Sequence, residues 1–104
     1  MHKTIVWDPD DIGIQSLARE IYEWAEETFP NRTDASMYLK LYSEVAEVIE
    51  SNGKHDEVAD LFILLLDYSV RKGIHLPSAI KSKLSINRNR EWEIRPDGTM
   101  KHKE

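Results

Sequence analysis

The sequence predicts an all-α fold, an antiparallel bundle of about four helices. Apolar residues recur at helical spacing through most of the chain, and turn signals divide it into four segments with short joints. The composition, with 40% hydrophobic residues, 32% charged residues and only four glycines, is typical of a compact helical protein. A chain of 104 residues suits a single domain, here residues 1–104, and is too short for two stable ones.

The first helix is predicted from about Ile12 to Thr28, where the apolar side chains fall on one face. Asp10 or Asp11 can cap its start. The helix ends before Pro30, because proline lacks a backbone donor and restricts the residue that precedes it.

The second helix is predicted to start at an N-cap of Thr33 or Asp34 and to stop at the tight turn of residues 51–53. The third runs from about Asp56 to Arg71, with Gly73 as a left-handed residue after its end. This third helix has almost no polar face, which marks it as the buried helix of the domain.

Pro77 pre-sets the first turn of a fourth helix that is expected to reach about Trp92. Residues 94–100 then predict a turn or a small hairpin at the end of the chain. Short loops favour antiparallel neighbours, and these neighbours are too few to cover the third helix. We therefore expect a homodimer or a homotetramer built as a dimer of dimers.

Charge and composition exclude several classes of protein. The net charge of −5 opposes binding to a nucleic-acid polymer, which relies on clustered Lys and Arg. The apolar run Leu61–Leu66 is far too short to span a membrane, and residues 1–7 do not resemble a signal peptide. Without cysteine the chain needs no oxidising compartment, so we expect a cytoplasmic protein.

Two pairs of acids flank the tight turn. Glu44 and Glu47 lie at the margin of the core face of the second helix, and Glu57 and Asp60 lie on the apolar third helix. The turn folds the two helices back to back, so the four carboxylates can meet in a partly buried space. Hard divalent cations relieve such repulsion, and Mg²⁺ suits the site best because it keeps waters and binds phosphate.

Other helical metal sites and catalytic motifs find less support. A ferritin-like di-iron site needs Glu-x-x-His, and no histidine here has a glutamate three residues before it. His55, in the turn, and His75, before Pro77, are interpreted as surface or capping residues. The few scattered glycines give no phosphate-binding loop.

The chain resembles the MazG-like branch of the all-α nucleoside triphosphate pyrophosphatases. The acidic pattern Glu44-x-x-Glu47 and Glu57-x-x-Asp60 carries this resemblance. Further motifs agree in order, and they are Trp24 with Phe29-Pro30, Lys40-Leu41, residues 56–60 and Lys83-x-x-x-Asn87-x-x-Arg90-x-Trp92.

The resemblance implies a hydrolase that cleaves nucleoside triphosphates, notably dNTPs, between the α and β phosphates to give a monophosphate and pyrophosphate. Glu44, Glu47, Glu57 and Asp60 would bind Mg²⁺, with Mn²⁺ as a substitute. Cations held there would neutralise phosphate charge and activate a water, whose proton Glu47 or Glu44 could accept.

The resemblance also implies a set of substrate-binding residues. Lys83, Asn87 and Arg90 share one face of the predicted fourth helix and would contact triphosphate and sugar, although a solvated basic helix end is the alternative. Trp24 would stack on the base unless it belongs to the core. Lys40 is expected to contribute nearby, with Asp67 and Tyr68 as weaker candidates.

Two other functions stay open from the sequence. The first is a phosphoribosyl-ATP pyrophosphatase-like enzyme, which the Trp24 and Phe29-Pro30 features fit less well. The second is a non-catalytic helical oligomerisation or regulatory module, whose acids would be relics or calcium sites.

Overall fold

The computed structural model describes residues 13–103 and confirms the predicted all-α class. Four helices make up most of the chain, and a two-stranded antiparallel hairpin follows them. In chain order the elements are α1 (Ile14–Thr28), α2 (Asp34–Glu50), α3 (His55–Arg71), α4 (Leu76–Arg88), β1 (Trp92–Ile94) and β2 (Met100–His102).

The helix starts follow local capping chemistry. The Thr33 hydroxyl accepts a hydrogen bond from the Ser36 backbone N–H, and the Ser36 hydroxyl accepts one from the Thr33 N–H. This reciprocal box satisfies two of the free donors at the start of α2, and it confirms Thr33 as the N-cap. The predicted caps Asp10 and Asp11, and the predicted start at Ile12, lie outside the described residues.

Left-handed residues end α2 and α3. Asn52 and Gly53 have φ angles of 56° and 79°, and the Gly53 N–H donates to the Val48 carbonyl at 2.9 Å. Gly73 has a φ of 69° and confirms the predicted end of α3. Because glycine adopts this conformation without a steric penalty, both helices can stop within one turn and reverse direction.

The fourth helix is shorter than predicted. It ends at Arg88 rather than near Trp92, and Asn89 caps it through a side-chain bond to the Ser85 carbonyl at 3.0 Å. Trp92 instead begins β1, and its indole N–H donates to the Asn87 carbonyl at 2.7 Å. The hairpin is thereby tied to the end of α4, with Glu93 paired opposite Lys101.

The antiparallel helices pack around α3, which contacts both α1 and α2, whereas α4 packs on α1. Within residues 13–103 four apolar residues are buried, and they are Ala18, Ala25, Met37 and Leu66. The small alanines allow α1 to approach closely. In the single chain Phe62, Ile63 and Leu65 of α3 stay exposed, so this helix is less buried than predicted. Among residues 13–103, no helix is long and apolar enough to cross a membrane.

Candidate metal and nucleotide site

The tight turn between α2 and α3 brings the predicted acids together. Oxygen atoms of Glu44, Glu57 and Asp60 all lie within 4.8 Å of one another. Burial is graded across the group: Glu44 is only 5% exposed, Glu57 is half-buried and Asp60 is exposed. The prediction of a partly buried cluster therefore applies to Glu44 and Glu57, while Asp60 forms its open side.

The fourth acid, Glu47, lies beside this group without being part of it. Repulsion from the Glu44 carboxylate, followed by a hydrogen bond shared with Glu57, raises the pKa of Glu47. A raised carboxylate pKa is the expected result of packing like charges together. On each of the two helices the two acids lie about one helical turn apart. The four carboxylates are therefore close enough to affect one another's charge.

A lysine partly compensates this negative charge. Lys40 Nζ lies 3.0 Å from Glu44 Oε1, and a hydrogen bond to Glu44 raises the pKa of Lys40. The lysine side chain is 60% exposed, so it approaches the cluster from the solvent side. The other oxygen, Glu44 Oε2, is buried without a hydrogen-bond partner among the described residues. A buried carboxylate oxygen without a partner is costly, and a cation would satisfy it.

A cavity of about 430 Å³ opens next to the acids, between α1, α2 and α3. Glu44 and Asp60 line one part of it, together with Lys40. Aromatic and aliphatic side chains line most of the rest, and these include Ile21, Trp24, Phe29, Met37, Ile63 and Leu64. Trp24 and Phe29 meet edge to face, with ring centroids 5.5 Å apart. The combination of carboxylates with an apolar slot suits a ligand that carries both phosphates and a flat ring.

An arginine–aspartate pair forms another part of the cavity lining. Arg32 donates from Nε and Nη2 to the two oxygens of Asp67, at 3.0 and 2.9 Å. The side chains are 8% and 7% exposed, and the bond to Asp67 raises the pKa of Arg32. The Tyr22 ring lies 5.4 Å from the guanidinium carbon, and Glu26 pairs with Nη2 at 2.9 Å.

The structure does not bring all predicted substrate residues to this cavity. Trp24 and Lys40 line it, but Lys83, Asn87 and Arg90 do not. Arg90 also lies beyond the end of α4, so the predicted common helical face applies only to Lys83 and Asn87. Of the weaker candidates, Asp67 lines the cavity, whereas the Tyr68 hydroxyl lies 3.0 Å from that of Tyr38 outside it.

Arg32 was not predicted from the sequence. The sequence does indicate that Asp67 needs a partner, because Asp67 lies on an apolar helix and a buried carboxylate requires a cation or a hydrogen-bond donor. The partner could not be identified by spacing, since Arg32 lies 35 residues away in a loop. The sequence indicated Phe29 only through the family resemblance and did not predict its contact with the Trp24 ring.

The carboxylate set fits a divalent cation. Hard carboxylate oxygens from two helices meet at one point, and the buried Glu44 Oε2 has no hydrogen-bond partner in the part of the chain that the structure describes. An all-α bundle with such a site beside an aromatic cavity has the arrangement expected of a metal-dependent enzyme that acts on phosphorylated ligands.

Comparison with known proteins gives the particular family. A sequence profile of the dATP/dGTP pyrophosphohydrolases matches residues 17–103. The dATP/dGTP diphosphohydrolase of cyanophage S-2L is 38% identical over 91 residues, which are 86% of this chain and 87% of that protein. The enzyme of the same name from Salmonella phage PMBT28 is 40% identical over 90 residues, 86% of this chain but 31% of that protein. The chain therefore belongs to the dATP/dGTP pyrophosphohydrolase family.

A solved structure supports the same assignment. The MazG-like pyrophosphohydrolase of cyanophage S-2L, bound to dGDP and three catalytic Mn²⁺ ions per active site, matches with a TM-score of 0.83. The two chains are 35% identical, and the match covers 90% of this chain and 100% of that one. The predicted MazG-like fold and the predicted hydrolase class are confirmed, and the Mn²⁺ ions of this neighbour agree with the predicted divalent cofactor.

Proposed function

We propose that this protein hydrolyses dATP and dGTP between the α and β phosphates, releasing pyrophosphate and the corresponding deoxynucleoside monophosphate. The observation that carries the proposal is the group of Glu44, Glu57 and Asp60 beside an aromatic-lined cavity. The family match and the names of the two phage relatives support the purine deoxynucleotides as substrates.

In this proposal Glu44, Glu57 and Asp60 hold Mg²⁺ or Mn²⁺, and Glu47 completes the set. The bound cation supplies charge neutralisation at the phosphates and a more acidic water. Glu47 lies beside the three-acid group rather than within it, so its carboxylate is the best placed to accept the proton of the attacking water. Glu44 is less suited to this role because Lys40 already occupies its Oε1 atom.

Lys40 and Trp24 bind the substrate from either side of the cavity. When a cation occupies the acids, Glu44 no longer needs Lys40, and the exposed ammonium can turn to a phosphate oxygen. Trp24 and Phe29 provide an edge-to-face aromatic wall against which a purine ring can pack.

Lys83, Asn87 and Arg90 reach a nucleotide only if a second copy of the chain supplies them. Residues 81–103 contain seven Lys and Arg against three acidic residues, which complements the acidic cavity. An exposed apolar stripe on α2 supports a homodimer, or a homotetramer formed from two dimers. The stripe consists of Tyr38, Tyr42, Val45 and Ile49.

We also propose that residues 1–104 act as one domain in the cytoplasm. The absence of cysteine supports this location, because the chain needs no oxidising compartment.

The test is a product assay on the purified full chain with Mg²⁺, using dATP, dGTP, dCTP and dTTP. Pyrophosphate and a monophosphate are expected from the purine substrates, and chelation of the metal should stop the reaction. Glu57→Gln should abolish it, whereas Glu50→Gln, an exposed acid on the same helix pair, should retain it. Release of orthophosphate, or full activity of Glu57→Gln, would contradict the proposal.

A further inference from the structure

Asp67 retains hydrogen-bonding capacity at a place where the cavity needs a polar contact. A carboxylate has about four acceptor sites, and the two bonds from Arg32 use two of them. Its side chain is 7% exposed, and it lines the cavity together with Trp24 and Phe29. The free acceptor sites of Asp67 are therefore held rigidly beside the aromatic wall.

The position of Asp67 matches the base rather than the phosphates. Asp60 and Asp67 are seven residues apart on α3, which is about 10 Å along the helix axis. Because α2 runs antiparallel to α3, Glu44 of α2 lies at the end of the cavity that holds the acids. Met37, seven residues earlier in the sequence, lies towards Asp67. A nucleotide with its phosphates at the acids would thus extend its base towards the Arg32–Asp67 pair.

Stability alone does not account for such a pair. Burying two charges costs several kcal/mol per ion before their attraction is counted, and well-packed apolar residues often serve equally well. Arg32 is held by Asp67, Glu26 and the Phe29 carbonyl, which fixes the guanidinium in one orientation. The consequence is a carboxylate that cannot rotate away from the cavity.

We propose that Asp67 reads the purine base by accepting a hydrogen bond from its exocyclic amino group, with Arg32 as the positioning residue. This inference rests on the proposed function. Adenine carries the amino group on C6 and guanine on C2, at the two ends of the Watson–Crick edge, so each purine would present a different end of that edge to Asp67. An acceptor with two oxygens can serve either purine, whereas a smaller pyrimidine ring does not extend as far from the acids.

The first test compares natural substrates with analogues that lack only the amino group, using the full chain and Mg²⁺. dITP is compared with dGTP, and purine deoxyriboside triphosphate with dATP, by kcat/KM for pyrophosphate release. Each analogue should be about tenfold poorer or worse, mainly through KM, because Asp67 then loses its partner. Equal kcat/KM values within each pair would overturn the proposal, and this measurement needs no variant.

The second test combines the analogues with Asp67→Ala, which removes both acceptor oxygens. If Asp67 contacts the amino group, natural substrate and analogue should differ by less than about threefold in this variant. Asp34→Ala is the matched control, because it removes another carboxylate that pairs with an arginine Nε at 2.9 Å but lies outside the cavity. It should keep the discrimination of the wild type. Unchanged discrimination in Asp67→Ala would overturn the proposal.

The outcomes separate this inference from the proposed function. If the wild type releases no pyrophosphate from any dNTP, the proposed function itself is wrong. If an active wild type does not distinguish the natural substrates from the analogues, only the role of Asp67 is wrong. Circular dichroism and thermal melting establish that the variants are folded. Arg32→Lys keeps the charge but loses the two-pronged geometry, so it should weaken discrimination less than Asp67→Ala.

Discussion

The two ends of this chain differ in how far they complete their own structure. Helices α1 to α3 enclose a cavity and bury polar groups such as Glu44 and Asp67. No residue of α4, Leu76–Arg88, is buried, and both strands of the hairpin are exposed. Helices α1 to α3 are rich in acidic residues, whereas α4 and the hairpin are rich in basic residues. The basic region therefore complements the charge of the acidic cavity, although it does not reach that cavity within one chain.

The largest expected effect is on the acidic region. Glu44→Gln should lower pyrophosphate release at least about a hundredfold, because it removes a proposed metal ligand. The same change should stabilise the metal-free protein by about 1 kcal/mol, since the amide can donate to a neighbouring carboxylate where Oε2 has no partner within residues 13–103. Activity assays and thermal melting with and without Mg²⁺ would measure both effects.

Glu50→Gln is the control for Glu44→Gln, because Glu50 is exposed at the end of the same helix. It should change neither activity nor melting temperature. If Glu44→Gln is less stable than the wild type without metal, the carboxylates do not destabilise the metal-free protein. The unpartnered Glu44 Oε2 would then give no support to a bound cation.

The next effect concerns the apolar stripe on α2. Tyr42→Glu places a charge at a side chain that is 79% exposed in the single chain, so the fold itself should tolerate it. If the stripe joins two copies, sedimentation should show a smaller species and activity should fall about tenfold or more. Arg19→Glu is the matched control, since it introduces the same carboxylate at an exposed position of α1, away from the stripe. Equal behaviour of the two variants would contradict the stripe as the interface.

A smaller effect should come from α4, and it tests whether that helix serves a second copy. Asn87→Ala should lower kcat/KM about tenfold by removing one hydrogen bond to the substrate. When Asn87→Ala is co-assembled with Glu57→Gln, one site of each mixed dimer regains intact acids and an intact α4. Activity should then exceed the sum of the two separate proteins. A simple sum would show that α4 acts within its own chain or does not act at all, and Lys81→Ala, at the opposite face, should not need rescue.

The sequence predicted those parts of the site that depend on local rules. The spacing of Glu44 with Glu47 and of Glu57 with Asp60, together with the left-handed Gly53, is sufficient to place the acids on facing helix ends. The Arg32–Asp67 pair was missed because it joins a loop to a helix across the bundle, and no periodicity encodes that contact.

The end of α4 was predicted too late for a related reason. Apolar spacing continues past Arg88, but Asn89 caps the helix and the Trp92 indole bonds back to the Asn87 carbonyl. These side-chain bonds to the backbone compete with helix propagation. The proposed role of Lys83 and Asn87 depends on a proposed second copy, which a single sequence does not position.

The smallest expected effect is a pH dependence within the three-helix region. Asp34 joins the start of α2 to the end of α3, and hydrogen bonds from Lys72 and then Arg71 lower its pKa. A lowered carboxylate pKa contributes stability above the unfolded value of about 3.9, and this stability is lost as the pH falls through the folded value. Asp34→Asn should therefore melt slightly below the wild type at pH 7, and the two melting curves should converge in acid. A difference that stays constant down to pH 2 would assign the effect to helix capping rather than to the ion pairs.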